Sequence, residues 1–446
     1  MPIISFQHRS HLGLISPKFV NRIIYMLALL SILCMGVSLL YWSMSPIVHA
    51  LFPHDGQFWC KRLTILQLPP ALIASAASLN AMASLIVALR HQSFVRGLYK
   101  IRDFVGHDSV RSSLFFYGLA LLLAVGYAIL RFQLNYEVKT YTLEMLTRGE
   151  GNAPYQYRTL VPWVVKSLLF LAPGLIPMER LIYGIIEASS CFLLFVVFAR
   201  FLTQFTNNLT SCRLFSLGLI YPLFFTHLIP NRANPIYAPY DTPAILIITI
   251  GLILLYHRRW GWYYLLFVVG TINRETTCFL TMIYFFTAFQ KDSWKSIALH
   301  CGAQLLIWIS IKQGIFLLYP DQHLFTGEKG TFINQVLLNK LFVTNPLSYL
   351  YFLQMMGGIW LPAILLGGII ASSFAKRALL VFIPFMFGMY LVGLLAELRI
   401  FGEMIPVTML VFVLVVRKLA YETSLAERST SVQNTPRVAE LAVSTK

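Results

Sequence analysis

Four consecutive residues, Asn273-Arg274-Glu275-Thr276, interrupt an apolar run and are the clearest candidates for chemistry in this sequence. An arginine and a glutamate in hydrocarbon would each cost about 2.5–3.5 kcal/mol. A chain tolerates such a pair where it faces a polar cavity, or where it forms the tip of a tight helical hairpin. A guanidinium at such a place can hold a phosphate or carboxylate group through its planar fork.

A second candidate, Arg158, precedes a short apolar run that begins near Pro162 and ends near Pro173. At this position an arginine can bind a phosphate or carboxylate of a ligand. It can equally extend to lipid headgroups beside the aromatic residues Tyr155 and Tyr157. The sequence alone leaves both interpretations open.

Two further polar sites lie at predicted ends of apolar runs. Asp241, followed by Thr242 and Pro243, is typical of a helix start with the aspartate as N-cap, and a helix N-terminus can also help receive an anion. Glu397 and Arg399 are two positions apart, which is not the spacing of a pair on one helix face. They are interpreted as an exterior turn that is either solvated or part of a shared cavity.

The composition shows which elements must position these residues. Of the 446 residues, 57% are hydrophobic and only 12% are charged. Apolar runs of membrane-spanning length recur along the whole chain, so we predict an all-α, polytopic integral membrane protein with membrane lipid as a partner. The net charge of +17 lies mainly in short loops between these runs. That distribution is the positive-inside pattern and argues against nucleic acid as a partner.

The apolar runs predict about twelve transmembrane helices and a re-entrant or interfacial helix near 159–172. The predicted spans are approximately 23–45, 67–89, 113–133, 180–202, 213–229, 241–256, 261–273, 276–290, 296–319, 347–370, 378–396 and 404–416. In an alternative, 160–172 spans the membrane and 261–290 forms one long helix, but this places Arg258 and Arg259 outside.

Loop charge predicts four regions along the chain, with both termini in the cytoplasm. They are a basic tail at 1–22, two spans and a basic loop at 23–112, a transmembrane core at 113–418 with an exterior loop at 134–178, and a disordered tail at 419–446. In this topology the unusual polar groups share the exterior side. They are Glu137, Glu144, Glu150, Arg158, Arg232, Asp241, Arg274, Glu275, Asp321, Glu328, Glu397, Arg399 and Glu403.

The sequence carries no metal or nucleotide motif. No HExxH, phosphate-binding glycine loop, dinucleotide-binding glycine pattern or GxSxG is present, and the six cysteines are widely spaced without a CxxC. We predict no metal-ligating residues and no resident cofactor. A divalent metal remains possible.

The order of these features resembles that of multi-span GT-C type glycosyltransferases and their bacterial relatives. The resemblance rests on an acidic, aromatic loop from Glu137 to Tyr141, on Tyr157-Arg158-Thr159-Leu160-Val161-Pro162, on Asn273-Arg274-Glu275-Thr276 and on Glu397-Leu398-Arg399. It covers roughly 113–418. The aspartate of the family's loop is absent, and Asn135-Tyr136-Glu137 stands there instead.

The resemblance implies a transferase in a bacterial inner membrane with a lipid-phosphate-linked sugar as donor. Glu137 would activate the acceptor hydroxyl, and Arg158 and Arg274 would stabilise the departing phosphate. Glu275 would fix Arg274. The remaining candidates, Asp241, Asn273, Glu397 and Arg399, would contribute to substrate binding. Two alternatives remain: a transporter or flippase of an anionic or lipid-linked solute, and a non-catalytic membrane protein whose charges are structural.

Overall fold

The structure, a computed structural model, is all-α and 83% helical, with no strand among the residues it describes. The described residues are 17–51, 68–91, 93–97, 99–100, 109–135, 137, 141–229, 236–289, 291–320 and 332–433. Within them, eight helical segments are long and apolar enough to cross a membrane. The chain is therefore an integral, multi-pass membrane protein, as the composition predicts, whereas the predicted count of about twelve spans is not confirmed.

The first half of the described chain contains helices α1 to α8, and residues 93–97 and 99–100 are also helical. The numbered helices are α1 (Pro17–Leu51), α2 (Leu68–Leu89), α3 (Ser109–Leu134), α4 (Leu143–Arg148), α5 (Leu160–Leu171), α6 (Glu179–Leu202), α7 (Leu209–Leu217) and α8 (Ile220–His227). The short break between α7 and α8 interrupts a single apolar segment, Leu209–His227.

Ten helices follow in the second half. They are α9 (Asp241–Tyr256), α10 (Trp260–Asn273), α11 (Phe279–Ala288), α12 (Trp294–Leu318), α13 (Phe332–Thr344), α14 (Pro346–Phe352), α15 (Trp360–Leu366), α16 (Ser373–Leu379), α17 (Phe382–Val392) and α18 (Ile405–Gln433). Helix α13 lies where no span was predicted.

Two features separate the favoured helix assignment from its alternative. Helix α5 has 12 residues, or about 18 Å, which is too short to cross a hydrocarbon core of about 30 Å. Between α10 and α11, Arg274 has an extended backbone (φ −158°, ψ 142°), and a 3-10 turn, Glu275–Cys278, follows. The helical hairpin predicted over 261–290 is present, and the single long helix of the alternative is not.

The predicted span at 347–370 is interrupted, which is a correction. Between α14 and α15 the backbone enters the left-handed region at Met356 (φ 52°), Gly357 (φ 66°) and Gly358 (φ 76°). The Tyr221 hydroxyl of α8 donates a hydrogen bond of 3.0 Å to the Gly357 carbonyl. Hydropathy could not reveal this break, because the residues at the break are as apolar as those around it.

The last helix continues well beyond its predicted end. Helix α18 extends to Gln433, whereas the sequence predicted a disordered tail from residue 419; residues 434–446 lie outside the described residues. An ion pair of 3.3 Å joins Lys418 to Glu422 one turn later. The Thr423 hydroxyl donates to the Leu89 carbonyl at 3.0 Å and attaches this helix to the end of α2.

Helices α9 and α18 form the interior of the bundle. An 18-residue window of the apolar segment Leu398–Thr423, which contains most of α18, is entirely buried in the protein, whereas the corresponding window of α12 is only 17% buried and faces mostly outward. Helix α9 packs against α6, α10 and α18. The polar residues at the start of α9, the end of α10 and the start of α18 are consequently delivered to the centre of the protein.

Candidate functional site

Asp241, the first residue of α9, is the centre of the candidate site, because three arginines contact its carboxylate. Arg131 approaches at 2.8 Å, Arg274 at 2.9 Å and Arg399 at 3.4 Å. Their side chains are 0%, 4% and 5% exposed. They come from α3, from the end of α10 and from a 3-10 segment, Leu398–Met404, that precedes α18.

Each of these arginines also faces a second carboxylate. Arg131 lies 2.6 Å from Glu187 of α6, Arg274 lies 3.0 Å from Glu403, and Arg399 lies 3.2 Å from Glu397. Both carboxylate oxygens of Glu403 are buried without a hydrogen bond, so its contact with Arg274 is an ion pair of imperfect geometry. We name this set the ion-pair cluster: Arg131, Glu187, Asp241, Arg274, Glu397, Arg399 and Glu403.

Arg158 forms a separate pair with Glu275 beside the ion-pair cluster. Its Nη2 and Nε donate to the two carboxylate oxygens at 2.5 and 3.2 Å, and its Nη1 donates to the Tyr240 hydroxyl at 3.0 Å. The guanidinium lies 4.8 Å from the ring centre of Tyr240 and 5.6 Å from that of Tyr155. The Glu275 side chain is 34% exposed. This pair is therefore the accessible edge of an otherwise buried site.

The Arg158–Glu275 pair keeps its charges despite burial. Burial by itself would lower the pKa of the Arg158 guanidinium, since it disfavours the charged form. The adjacent Glu275 carboxylate outweighs this and holds that pKa well above its usual range. A permanently charged, planar donor at the accessible edge is suited to an oxyanion such as phosphate.

Backbone-anchored contacts position the pair and the cluster relative to each other. Asn273 Nδ2 donates to the Tyr240 carbonyl at 3.1 Å, which joins the end of α10 to the start of α9. The Thr159 amide donates to the Ile272 carbonyl at 3.1 Å and fixes the start of α5 to the same place. Trp308 of α12 donates through Nε1 to the Glu275 carbonyl at 2.8 Å.

Seven of the eight predicted site residues come together here. They are Arg158, Asp241, Asn273, Arg274, Glu275, Glu397 and Arg399. The eighth, Glu137, makes its contacts elsewhere: its carboxylate accepts a hydrogen bond of 3.1 Å from the Leu143 amide at the start of α4 and lies 3.1 Å from Arg180. None of its contacts is with another predicted site residue.

Three details of the predicted site differ in the structure. Glu275 pairs with Arg158 and not with its neighbour Arg274, because the chain turns between them from extended backbone into a 3-10 turn. Arg274, at the tip of the predicted hairpin, is buried with 4% exposure, and of the two charges only Glu275 reaches the surface. The N-cap of α9 is Tyr240 and not Asp241, whose carboxylate is engaged by arginines.

Sequence reasoning missed three charged members of this region: Arg131, Glu187 and Lys312. Arg131 lies in the last turn of the predicted third span, where an arginine is expected at the membrane boundary. Glu187 lies inside the predicted span 180–202, and an ionisable residue at that depth is itself a signal of a functional or paired site. Lys312 of α12, 5% exposed, donates through Nζ to the Tyr157 carbonyl at 3.3 Å.

The acids of the site face arginines and not one another. Within the part of the chain that the structure describes, no group of three or more His, Cys, Asp or Glu side chains is arranged to hold a metal ion. The chemistry that the described residues can supply is stabilisation of negative charge by fixed guanidinium groups.

Comparison of the chain with protein-family models, with curated proteins and with solved structures found no match. The fold and the site define a multi-pass membrane protein with a buried ion-pair cluster whose edge is accessible.

Proposed function

We propose that this protein is a membrane-embedded, glycosyltransferase-like enzyme that uses a polyprenyl-phosphate-linked sugar as donor. One observation carries the proposal: guanidinium groups from four separate elements converge around Tyr240 and Asp241. Transfer of a sugar from such a donor leaves negative charge on the departing phosphate. Fixed cations in a dry site stabilise that charge as it develops, and they need no reorganisation during the reaction.

Arg158 is proposed as the residue that contacts the donor phosphate. It is the arginine nearest the accessible edge, and Glu275 holds its guanidinium plane through two hydrogen bonds. The rings of Tyr155 and Tyr240 lie beside it. Lys312 approaches the same place through its contact with the Tyr157 carbonyl, and would add a second cation for the phosphate.

Arg274 and Arg399 are proposed to act as positioning residues that do not contact the substrate. Both are buried and share the Asp241 carboxylate, so a substrate would meet their electric field and not their side chains. The resemblance implied that Arg274, like Arg158, stabilises the departing phosphate; in this proposal Arg274 contributes to that stabilisation from a buried position.

Glu137 remains the proposed base for the acceptor hydroxyl on the strength of the resemblance. Its side chain is 22% exposed, so an acceptor hydroxyl can come within the hydrogen-bonding distance that a general base requires. Its contacts with Leu143 and Arg180 stabilise the start of α4. If Glu137 is the base, Glu137→Gln should abolish transfer at normal abundance in the membrane. If its role is purely structural, the substitution should lower the abundance of the protein.

The test is transfer of labelled sugar from a polyprenyl-phosphate donor by the purified protein and its variants. Arg158→Gln should lower the transfer rate by about 10²–10³-fold, the loss typical of one missing oxyanion donor, with normal abundance in the membrane. Arg148→Gln is the matched control, since Arg148 lies on the same predicted face and is 61% exposed. Full transfer by Arg158→Gln, or no transfer by the wild-type protein with any such donor, would contradict the proposal.

A second candidate function, transport of an anionic lipid-linked solute, is favoured by one observation. The helix break at Met355–Gly358 packs against Leu398–Met404, the segment that carries Arg399. Interrupted helices beside buried charges are characteristic of transporters. Movement of an intact labelled polyprenyl-phosphate sugar between the leaflets of proteoliposomes, without transfer, would select this alternative.

A further inference from the structure

A cavity of about 290 Å³ lies at the end of the bundle opposite to the ion-pair cluster. It is an open pocket bordered by the end of α9, the start of α10, the end of α11 and the start of α16. Helix α10 runs from the cavity at Trp260 to the cluster at Asn273, a distance of about 21 Å. The cavity is therefore separate from the site described above. Its lining includes Arg258, Trp260, Tyr284 and Lys291.

Two cations line this cavity, Arg258 and Lys291. The Arg258 Nη1 lies 2.5 Å from Asp292, which also accepts a hydrogen bond of 3.4 Å from the Tyr284 hydroxyl. Asp292 thus orients a guanidinium whose side chain is still 45% exposed. Among the described residues Lys291 makes no ion pair. Only one nearby carboxylate, Asp292, is seen to pair with these cations, and it pairs with Arg258, so the lining carries an excess of positive charge.

The backbone gives a second reason to single out Arg258. Helix α9 ends in a Schellman motif, with the Arg258 amide bonded to the Leu255 carbonyl at 3.2 Å and the Arg259 amide bonded to the Leu254 carbonyl at 3.0 Å. This motif places Arg258 in the left-handed region (φ 55°), where glycine is the favoured residue. The backbone geometry at position 258 favours glycine, yet the residue there is an arginine. A functional role of the guanidinium would account for an arginine at this position.

Aromatic rings form the other wall of the cavity. The Trp260 ring stacks on His300 at 3.9 Å and stands nearly perpendicular to the Tyr284 ring at 5.1 Å. These contacts hold the two lining rings rigidly. An apolar wall beside two cations is suited to an amphiphile that has an anionic head and an apolar remainder.

We propose that this cavity binds a phosphate group carried by an amphiphile or free in solution, with Arg258 and Lys291 on its oxygens and Trp260 and Tyr284 against its apolar part. The volume is close to the lower limit of small-ligand pockets, roughly 300 Å³, which suits one headgroup and not an entire lipid. This end also carries the basic residues that the sequence assigns to the cytoplasm, where anionic headgroups are available.

The experiment measures the melting temperature of the purified full-length protein in a neutral detergent with three probes. These are short-chain phosphatidylglycerol, the zwitterionic short-chain phosphatidylcholine and inorganic phosphate. Because a ligand that binds only the folded state raises the melting temperature, phosphatidylglycerol should raise it in a saturable manner and phosphatidylcholine should not. Saturation by inorganic phosphate would identify the free anion as a sufficient ligand; saturation by phosphatidylglycerol alone would identify the lipid.

The variants are chosen so that the fold is retained. Arg258→Gly removes the guanidinium at a position where glycine is favoured, and Lys291→Gln removes the second cation. Each should weaken binding by at least about tenfold, the loss of one charge-assisted contact. Arg259→Gln is the matched control, because it removes the same charge from the adjacent exposed position outside the lining. The proposal is overturned if the wild type binds neither anionic probe, if both variants bind as the wild type does, or if Arg259→Gln loses as much.

Discussion

At the scale of single residues, the ion-pair cluster joins helices through buried charges whose desolvation costs free energy. Removing charges from water costs several kcal/mol for each ion, and apolar residues in place of a buried ion pair are often equally stable or more stable. Asp241 nevertheless faces Arg131, Arg274 and Arg399, all of them buried. Such an arrangement argues for a use of the charges beyond stability.

The same arrangement predicts a large effect of a single isosteric change. Asp241→Asn should lower the free energy of unfolding by about 3–5 kcal/mol, because three guanidinium groups lose their shared carboxylate while still buried. The measurement is chemical unfolding in detergent followed by tryptophan fluorescence. Glu144→Gln, which removes an exposed pair with Arg148, should change it by less than about 0.5 kcal/mol. Equal, small effects of both substitutions would show that the cluster is not the buried network described here.

At the scale of elements, the interruptions of helices determine which side chains reach the site. The extended residue Arg274 ends α10 and allows Glu275 to turn toward Arg158. The left-handed residues between α14 and α15 bend the chain around Tyr221, whose hydroxyl bonds to Gly357. Short helices with defined breaks, and not uniform spans, bring distant parts of the sequence to one place.

The break between α14 and α15 should depend on glycine at position 357. A Cβ there would lie 2.3 Å from Cε1 of Tyr221, on a residue with φ of +66°. Gly357→Ala should therefore lower the free energy of unfolding by about 1–3 kcal/mol, through left-handed strain and overpacking. Gly368→Ala is the control, since nothing lies within 4 Å of its Cβ position. If both variants melt at the wild-type temperature, the backbone does not take this course.

At the scale of the whole molecule, the bundle has two chemically different ends. One carries the ion-pair cluster and the Arg158–Glu275 pair. The other carries the cavity with Arg258 and Lys291. Helices α9 and α10 connect the two ends, since α9 begins at Asp241 in the cluster and α10 ends beside it.

The positive-inside rule predicts which end faces the cytoplasm, and cysteine labelling can test it. In a cysteine-free background, Glu144→Cys should react with a membrane-impermeant maleimide on intact cells. Arg259→Cys should react only after permeabilisation, because the basic loops are expected in the cytoplasm. Both positions are exposed. The reverse pattern would place the ion-pair cluster at the cytoplasmic end and would remove the basis for exterior transfer.

Local pattern predicted much of this protein because the membrane constrains local pattern strongly. A segment in hydrocarbon must satisfy its backbone hydrogen bonds internally, so apolar length alone predicted α2, α3, α6 and α9 to within a few residues. The high free-energy cost of charge in lipid likewise identified Arg274 and Glu275 as candidate site residues. Hydropathy is insensitive to backbone handedness, and for that reason the break at Met356 and Gly357 was missed.

The sequence by itself determined the class of this protein, the course of most helices and most residues of the candidate site. These depend on composition and on the free-energy cost of placing charged residues within a single apolar segment. Only the tertiary structure decided the partners: Arg158 for Glu275, three arginines for Asp241, and the inclusion of Arg131 and Glu187. Ion pairs between residues more than fifty positions apart depend on which helices are neighbours. That choice is made by packing in three dimensions, and no local pattern in the sequence records it.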